Sequence, residues 1–222
     1  MSYVTEWGRK AADLYATDYA RRYREHDEEL SQVEAYRAFC EWLRDICGRF
    51  RRSIDVLDLG CGTGRYFAAL RNVNALVGLD ASGPMLAEAA NPVGAEQITA
   101  KTIQLIEGDA LTHQFSPDSF DLIYSVGVLA EHTPFDSRIV DNVATWLRPG
   151  GRFAFTPTFP LVSLVLGVHS GGECEQQHDD CWPNPPLETR FTSPNIDHWN
   201  SPRLPHWTSE TLPSRNVIFR SR

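Results

Sequence analysis

The sequence predicts an α/β protein with a doubly wound, mostly parallel sheet preceded by helices, and three observations predict it. Short apolar runs alternate with helical patterns between residues 54 and 157, the rhythm of βαβ units. The first run, Ile54-Asp55-Val56-Leu57-Asp58-Leu59, feeds directly into Gly60-Cys61-Gly62-Thr63-Gly64. The preceding stretch carries apolar side chains at helical spacing. The chain accordingly divides into an N-terminal helical cap, 1–53, and an α/β ligand-binding core, 54–157. The rest, 158–222, is an irregular segment, not an independent domain. It holds most of the chain's 14 prolines.

In the cap, Leu14, Tyr15, Asp18, Tyr19 and Arg22 share one helical face. Val33, Tyr36, Phe39, Cys40, Leu43, Ile46 and Cys47 form the stripe of a second helix over 33–50, which Gly48 weakens near its end. In the core, Ile54 to Leu59 reads as a buried strand and Thr63 to Leu70 as a helix. Ala75 to Leu79 is the second strand, followed by a helix over 84–90. Thr102 to Ile106 is the third strand and Asp121 to Val126 the fourth. A long helix follows over 136–147. Arg148-Pro149-Gly150-Gly151 is a turn, and Arg152 to Thr156 the fifth strand. Ligands of such sheets bind outside the carboxyl ends of the strands.

Composition narrows the function. The 222 residues suffice for one sizeable core. A net charge of −8 argues against broad binding to bare nucleic acid; Arg49, Arg51 and Arg52 read as a solvated helix end. The first 30 residues contain no apolar signal core, and the apolar run 159–168 falls well short of the roughly 20 residues of a membrane helix. Five cysteines, odd in number and widely spread, do not suggest a disulfide framework. These features together read as cytoplasmic. His169, Cys174, His178 and Cys181 cluster, but their spacing fits no standard zinc module. They read as a polar surface loop, so no metal is expected.

The glycine segment carries the chemistry. Glycines let the backbone approach a ligand closely, and the following helix start offers free N–H groups. A dinucleotide fingerprint needs a third glycine where Arg65 stands, and no G-K-[ST] phosphate loop occurs. The G-x-G-x-G spacing instead resembles the first motif of the class I S-adenosylmethionine-dependent methyltransferases, whose fold is Rossmann-like. Other motifs follow in order. Leu79-Asp80 ends the second strand and Glu107-Gly108-Asp109-Ala110 follows the third. Phe120 to Ser125 resembles the fourth-strand motif, and Leu147 to Phe153 the turn into the fifth. The resemblance covers about residues 10–157 and lies nearest the general small-molecule branch.

The resemblance implies S-adenosyl-L-methionine as cofactor. Asp58, Gly60, Cys61, Gly62 and Gly64 would hold its amino-acid end, Asp80 and Ala81 the ribose, and Asp109 and Ala110 the adenine, with Ser125 in the fourth-strand motif beside them. Elementary chemistry agrees: a strand-end carboxylate accepts two hydrogen bonds from a ribose diol. An acid beside a backbone N–H suits an exocyclic amine and a ring nitrogen. Methyl transfer is an in-line displacement that depends mainly on positioning. His132, just beyond the fourth strand, is the candidate base. Tyr15, Tyr19 and Tyr23, at i, i+4 and i+8, are the candidate acceptor-binding face.

Ser125-Val126-Gly127-Val128 lacks the motif of amino-methylating DNA enzymes, and Asn184-Pro185-Pro186-Leu187 reads as a loop. A small-molecule acceptor is therefore expected, methylated on O, N or C. A non-catalytic binding protein of the same fold and a protein methyltransferase are the alternatives. In the tail only Asn216-Val217-Ile218-Phe219 reads as a strand, so the C-terminal hairpin is expected to be incomplete or irregular.

Overall fold

The computed structural model describes residues 4–129, 131–156, 208–211 and 217–220. Three helices come first: α1 (Glu6–Leu14), α2 (Thr17–Glu29) and α3 (Glu34–Gly48). The core then runs β1 (Ile54–Leu59), β2 (Val73–Asp80), α4 (Gly83–Ala89), β3 (Thr102–Glu107), β4 (Phe120–Ser125), α5 (Ser137–Trp146) and β5 (Leu147–Phe155). Two short strands, β6 (Thr208–Thr211) and β7 (Val217–Arg220), complete it. The sheet order is β3-β2-β1-β4-β5-β7-β6. The first five strands are parallel, and β7 pairs antiparallel with both β5 and β6. The order reverses at β1, so β1 and β4 flank the switch point where such sheets bind ligands.

Alternation along the strands sorts the core into two layers. Ile54, Val56, Leu122, Tyr124 and Ala154 face Leu43, Ile46 and Cys47 of α3. Leu57, Leu59, Ile123, Phe153 and Phe155 face Ile139, Val143 and Trp146 of α5 on the other side. Among the described residues no helix is long and apolar enough to cross a membrane.

Four expectations change. The single face drawn through Leu14 and Arg22 belongs to two helices: α1 ends at Leu14 and α2 starts at Thr17. Tyr15 is therefore the C-cap of α1, while Tyr19 and Tyr23 lie on α2. The helix expected over 63–70 is only a 3-10 turn, Phe67–Ala69. Gly60, Gly62 and Gly64 all take positive φ, and the bonds that follow are of the tight i to i−3 kind, such as Phe67 N–H to Gly64 C=O (3.0 Å). The expected turn before the fifth strand lies within β5 itself, which leaves register between Phe120 and Leu122. Finally, the strand expected at 216–219 is β7, and it has a partner, β6, that was not read from the sequence. The apolar run 159–168, the Cys/His cluster and Asn184 to Leu187 lie outside the described residues.

The foot of the sheet is held by one carboxylate. Asp121 is almost sealed from water, and its Oδ2 accepts from the Asp55 N–H (2.9 Å) and from Arg148 Nη1 (2.8 Å), while Arg52 brackets both oxygens. This ties β1, β4 and the start of β5 together. Asp121→Ala should lower stability by about 2 kcal/mol, because it leaves the Asp55 N–H without its acceptor and removes the carboxylate that Arg52 and Arg148 share, although Arg148 keeps Asp55 and Arg52 is mostly hydrated. The urea midpoint, compared with wild type, measures it.

Candidate active site

The site forms at the carboxyl ends of β1, β2, β3 and β4. The chain leaves β1 through Gly60 and Gly62, both at positive φ. A Cβ on Gly60 would lie 2.4 Å from Val128 Cγ2, so only glycine lets this turn pass beneath the loop after β4. Asp80, at the end of β2, fixes the turn: its Oδ2 accepts the Gly62 N–H (2.8 Å) and its Oδ1 accepts the Ser82 N–H (2.9 Å). Burial pushes the Asp80 carboxyl up, against those same backbone bonds, which pull it down. Ser82 in turn caps α4 through the Met85 N–H (3.2 Å).

Beneath the turn, Asp58 is sealed in the core. Its Oδ2 accepts the Tyr124 hydroxyl (2.6 Å) across the β1–β4 pair. Burial drives its carboxyl up to about 8, with Tyr124 opposing the shift and the neighbouring Asp80 adding to it. Beyond β3, Asp109 Oδ1 accepts the Leu111 N–H (2.9 Å), while its Oδ2 accepts both the backbone N–H (2.8 Å) and the hydroxyl of Thr5.

Helices α1 and α2 cover this ground through polar contacts. Thr5 holds Asp109 at one end of α1. At the other end the Tyr15 carbonyl accepts the Ser82 hydroxyl (2.6 Å), and the Tyr15 hydroxyl lies 2.8 Å from His132 Nε2. Buried Asp27 of α2 accepts from the Thr63 hydroxyl and from Arg65 Nε (2.6 Å), and the Arg65 guanidinium lies over the Tyr23 ring. Glu131 Oε1 stands 3.5 Å from His132 Nε2. Burial, more than the neighbouring tyrosines and carboxylates, pushes the Tyr15 phenol up, so it keeps its proton. Tyr15 meets Tyr19 and Tyr23 edge-on, and Tyr19 stacks on Tyr23.

A cavity between cover and strand ends gathers six of the sequence-predicted cofactor residues: Gly60, Gly62, Asp80, Ala81, Asp109 and Ala110. Tyr15, Tyr23 and His132 also line it. The other predicted residues sit behind it. Asp58 is beneath the turn, Cys61 packs its Sγ toward Gly78, and Gly64 faces Phe67. The Ser125 hydroxyl donates to the Leu59 carbonyl (2.8 Å), strapping β4 to β1. Tyr19 touches the cavity only through its partner rings. Sequence reasoning missed Gly8 and Ala11 of α1, Met85 of α4, and Val128 and Thr133 after β4. Only the small-residue pair Gly8 and Ala11, three apart after a Thr N-cap, carried a local signal. Among the described residues no cluster of His, Cys, Asp and Glu could hold a metal ion.

Residues 56–151 match a family model described as a methyltransferase domain. Curated relatives are similar over about half of the chain. A demethylmenaquinone methyltransferase from Lactiplantibacillus plantarum is 34% identical over 118 residues, which is 50% of this chain and 49% of that protein. A trans-aconitate 2-methyltransferase from Deinococcus radiodurans is 38% identical over 45% of this chain and 36% of its own length. The chain thus spans half or less of these relatives. A solved structure from Methanococcus maripaludis, described as an S-adenosyl-L-methionine-dependent methyltransferase, superposes with a TM-score of 0.52 at 20% identity, covering 64% of each chain. That likeness concerns the fold alone. The core thus has a Rossmann-like α/β fold and resembles a methyltransferase domain over residues 56–151, and the cofactor that such a resemblance implies is S-adenosyl-L-methionine.

The buried Asp58 makes a pH signature. Its folded-state pKa lies above its unfolded value, so its contribution to stability is full below about pH 4 and is lost as pH rises through about 8. Asp58→Asn keeps an acceptor for Tyr124 and removes this titration. Thermal melts should show the variant gaining on wild type steadily from pH 5 to 8. A constant difference across that range would contradict it.

Proposed function

We propose that this protein is a cytoplasmic S-adenosyl-L-methionine-dependent methyltransferase acting on a small molecule. One observation carries the reading. Asp80 and Asp109 stand at two neighbouring strand ends and line one cavity with the positive-φ glycine turn, inside a segment that matches a methyltransferase domain.

The residues fit the cofactor by their chemistry. Asp80 lies beside the cavity with lone pairs beyond those used by Gly62 and Ser82, as a ribose diol requires. Ala81, Met85 and Ala110 give apolar walls for a flat ring. The N–H groups of the glycine turn suit the carboxylate end of an amino-acid zwitterion. A bound S-adenosyl-L-methionine supplies an electrophilic methyl group on a sulfonium sulfur. The chain's own task is then to orient an acceptor and, where the acceptor is protic, to take its proton. Tyr15 and His132 would serve that task, and their contacts support the reading: the phenol keeps its own proton, and the imidazole beside it has Glu131 within reach. Tyr23 and Tyr15 give the acceptor side an aromatic lining, which also favours a sulfonium nearby.

Purified protein incubated with methyl-labelled cofactor and a cell extract should place label in extractable metabolites. Asp80→Ala should abolish labelling and S-adenosylhomocysteine binding together. His132→Gln should cut labelling at least roughly tenfold while binding stays near wild type. Label in macromolecules instead would favour a protein methyltransferase, and cofactor binding with no labelled product a non-catalytic binding protein.

A further inference from the structure

The sheet ends at β3, and among the described residues no strand pairs with its outer edge. The hydrogen-bonding phase of that edge is fixed. The Gly108 N–H donates to the Asp80 carbonyl (2.8 Å), so it faces β2. Peptide groups alternate sides along a strand, so those of Gln104 and Ile106 face β2 as well. Ile103, Leu105 and Glu107 therefore turn their N–H and C=O groups outward. The side chains of Ile103 and Leu105 line an open groove of about 530 Å³ with Ala89, Ala90, Pro92 and Ile98. Ile103 is 44% exposed, a large apolar side chain left to water at the edge. A charge stands at each end of this row. Lys101 Nζ reaches Asn74 Oδ1 (3.4 Å) beside the start of β3, and the Glu107 carboxylate lies against Gly83 at the start of α4. Exposed edges of this kind invite pairing unless charge, proline or a bulge blocks them.

We infer that β3 pairs antiparallel with β3 of a second copy of this chain across a two-fold axis at Gln104, which joins two seven-stranded sheets into one. The edge is self-complementary in this register. Outward peptide groups must meet outward ones, so Ile103 stands opposite Leu105 of the second copy, and each such pair exchanges both N–H···O bonds. Ile103 and Leu105 of both copies then share one face, and the two grooves meet at the seam. Lys101 stands opposite Glu107 of the second copy, so the charges that would guard an open edge become partners. A slip of two residues in either direction sets Lys101 against Leu105 or Ile103 against Glu107, a charge beside an apolar side chain. A slip of one sets outward groups against inward ones and loses the hydrogen bonds. Gln104 meets its own copy on the axis, where two carboxamides can donate to and accept from each other.

Sedimentation velocity of the full chain over a concentration series should show a reversible dimer. Ile103→Pro removes an outward N–H that β2 does not use, a change that an edge strand tolerates. It should raise the dimer dissociation constant at least roughly a hundredfold. Lys101→Glu should raise it roughly tenfold, and Lys101→Glu combined with Glu107→Lys should restore it. Gln104→Cys reads the register. Cysteines on the axis face each other at a non-hydrogen-bonded site and should cross-link under mild oxidation, while Thr102→Cys, opposite Ile106 of the second copy, should not. Wild type oxidised alike is the control for the native cysteines, and far-ultraviolet circular dichroism checks each variant's fold. If Ile103→Pro does not fold, the charge swap and the cysteine pair decide. A chain that stays monomeric at every concentration overturns the pairing. So does a dimer whose affinity is unchanged in folded Ile103→Pro or in Lys101→Glu, or one that cross-links as readily through Thr102→Cys as through Gln104→Cys.

Discussion

The hydrogen bond from the Gly62 N–H to Asp80 is the constraint on which the site depends. Three glycines at positive φ turn the chain sharply out of β1, and such a turn has few intrinsic preferences to hold it. The carboxylate at the end of the neighbouring strand supplies the hold, and its other oxygen fixes the start of α4 through Ser82. One side chain thereby sets the glycine turn, the second crossover and the floor of the cavity in a common frame. Val128 presses on the turn from the far side, so the loop after β4, which carries His132, is set by the same geometry.

The cover obeys a different logic. α3 is bound to the sheet by apolar burial of Leu43, Ile46 and Cys47, whereas α1 and α2 reach the core through Thr5, Tyr15 and Asp27. Hydrogen bonds to carboxylates are directional and exchangeable in a way that a packed apolar face is not. Each of the three tethers ends on a residue of the cavity or of the glycine loop.

Much of this was legible in the sequence because it is local. Short apolar runs alternating with helical patterns predict five parallel strands, since a strand covered on both faces reads as a near-continuous apolar run. Asp80, Asp109 and the glycines are marked by where they stand relative to strand ends. The misses are tertiary. Thr5 meets Asp109 across 104 residues of sequence, and no local pattern announces such a partner. The break between α1 and α2 falls at Tyr15 and Ala16, without glycine or proline, where the Tyr15 carbonyl is claimed by Ser82. The helix expected after the glycine turn yields to a 3-10 turn because only 13 residues, 60–72, separate β1 from β2 and several are spent at positive φ. Strand β6 exists through its pairing with β7 more than through any pattern of its own.

The most direct test of the central claim is a calorimetric titration of the wild-type chain with S-adenosylhomocysteine. The arrangement of Asp80, Asp109 and the glycine turn predicts one-to-one binding in the micromolar range, with a negative heat-capacity change as the apolar walls around Ala81 and Met85 close on the ring. Folded protein that gives no binding heat at several temperatures, and no rise in melting temperature with the ligand present, would contradict it.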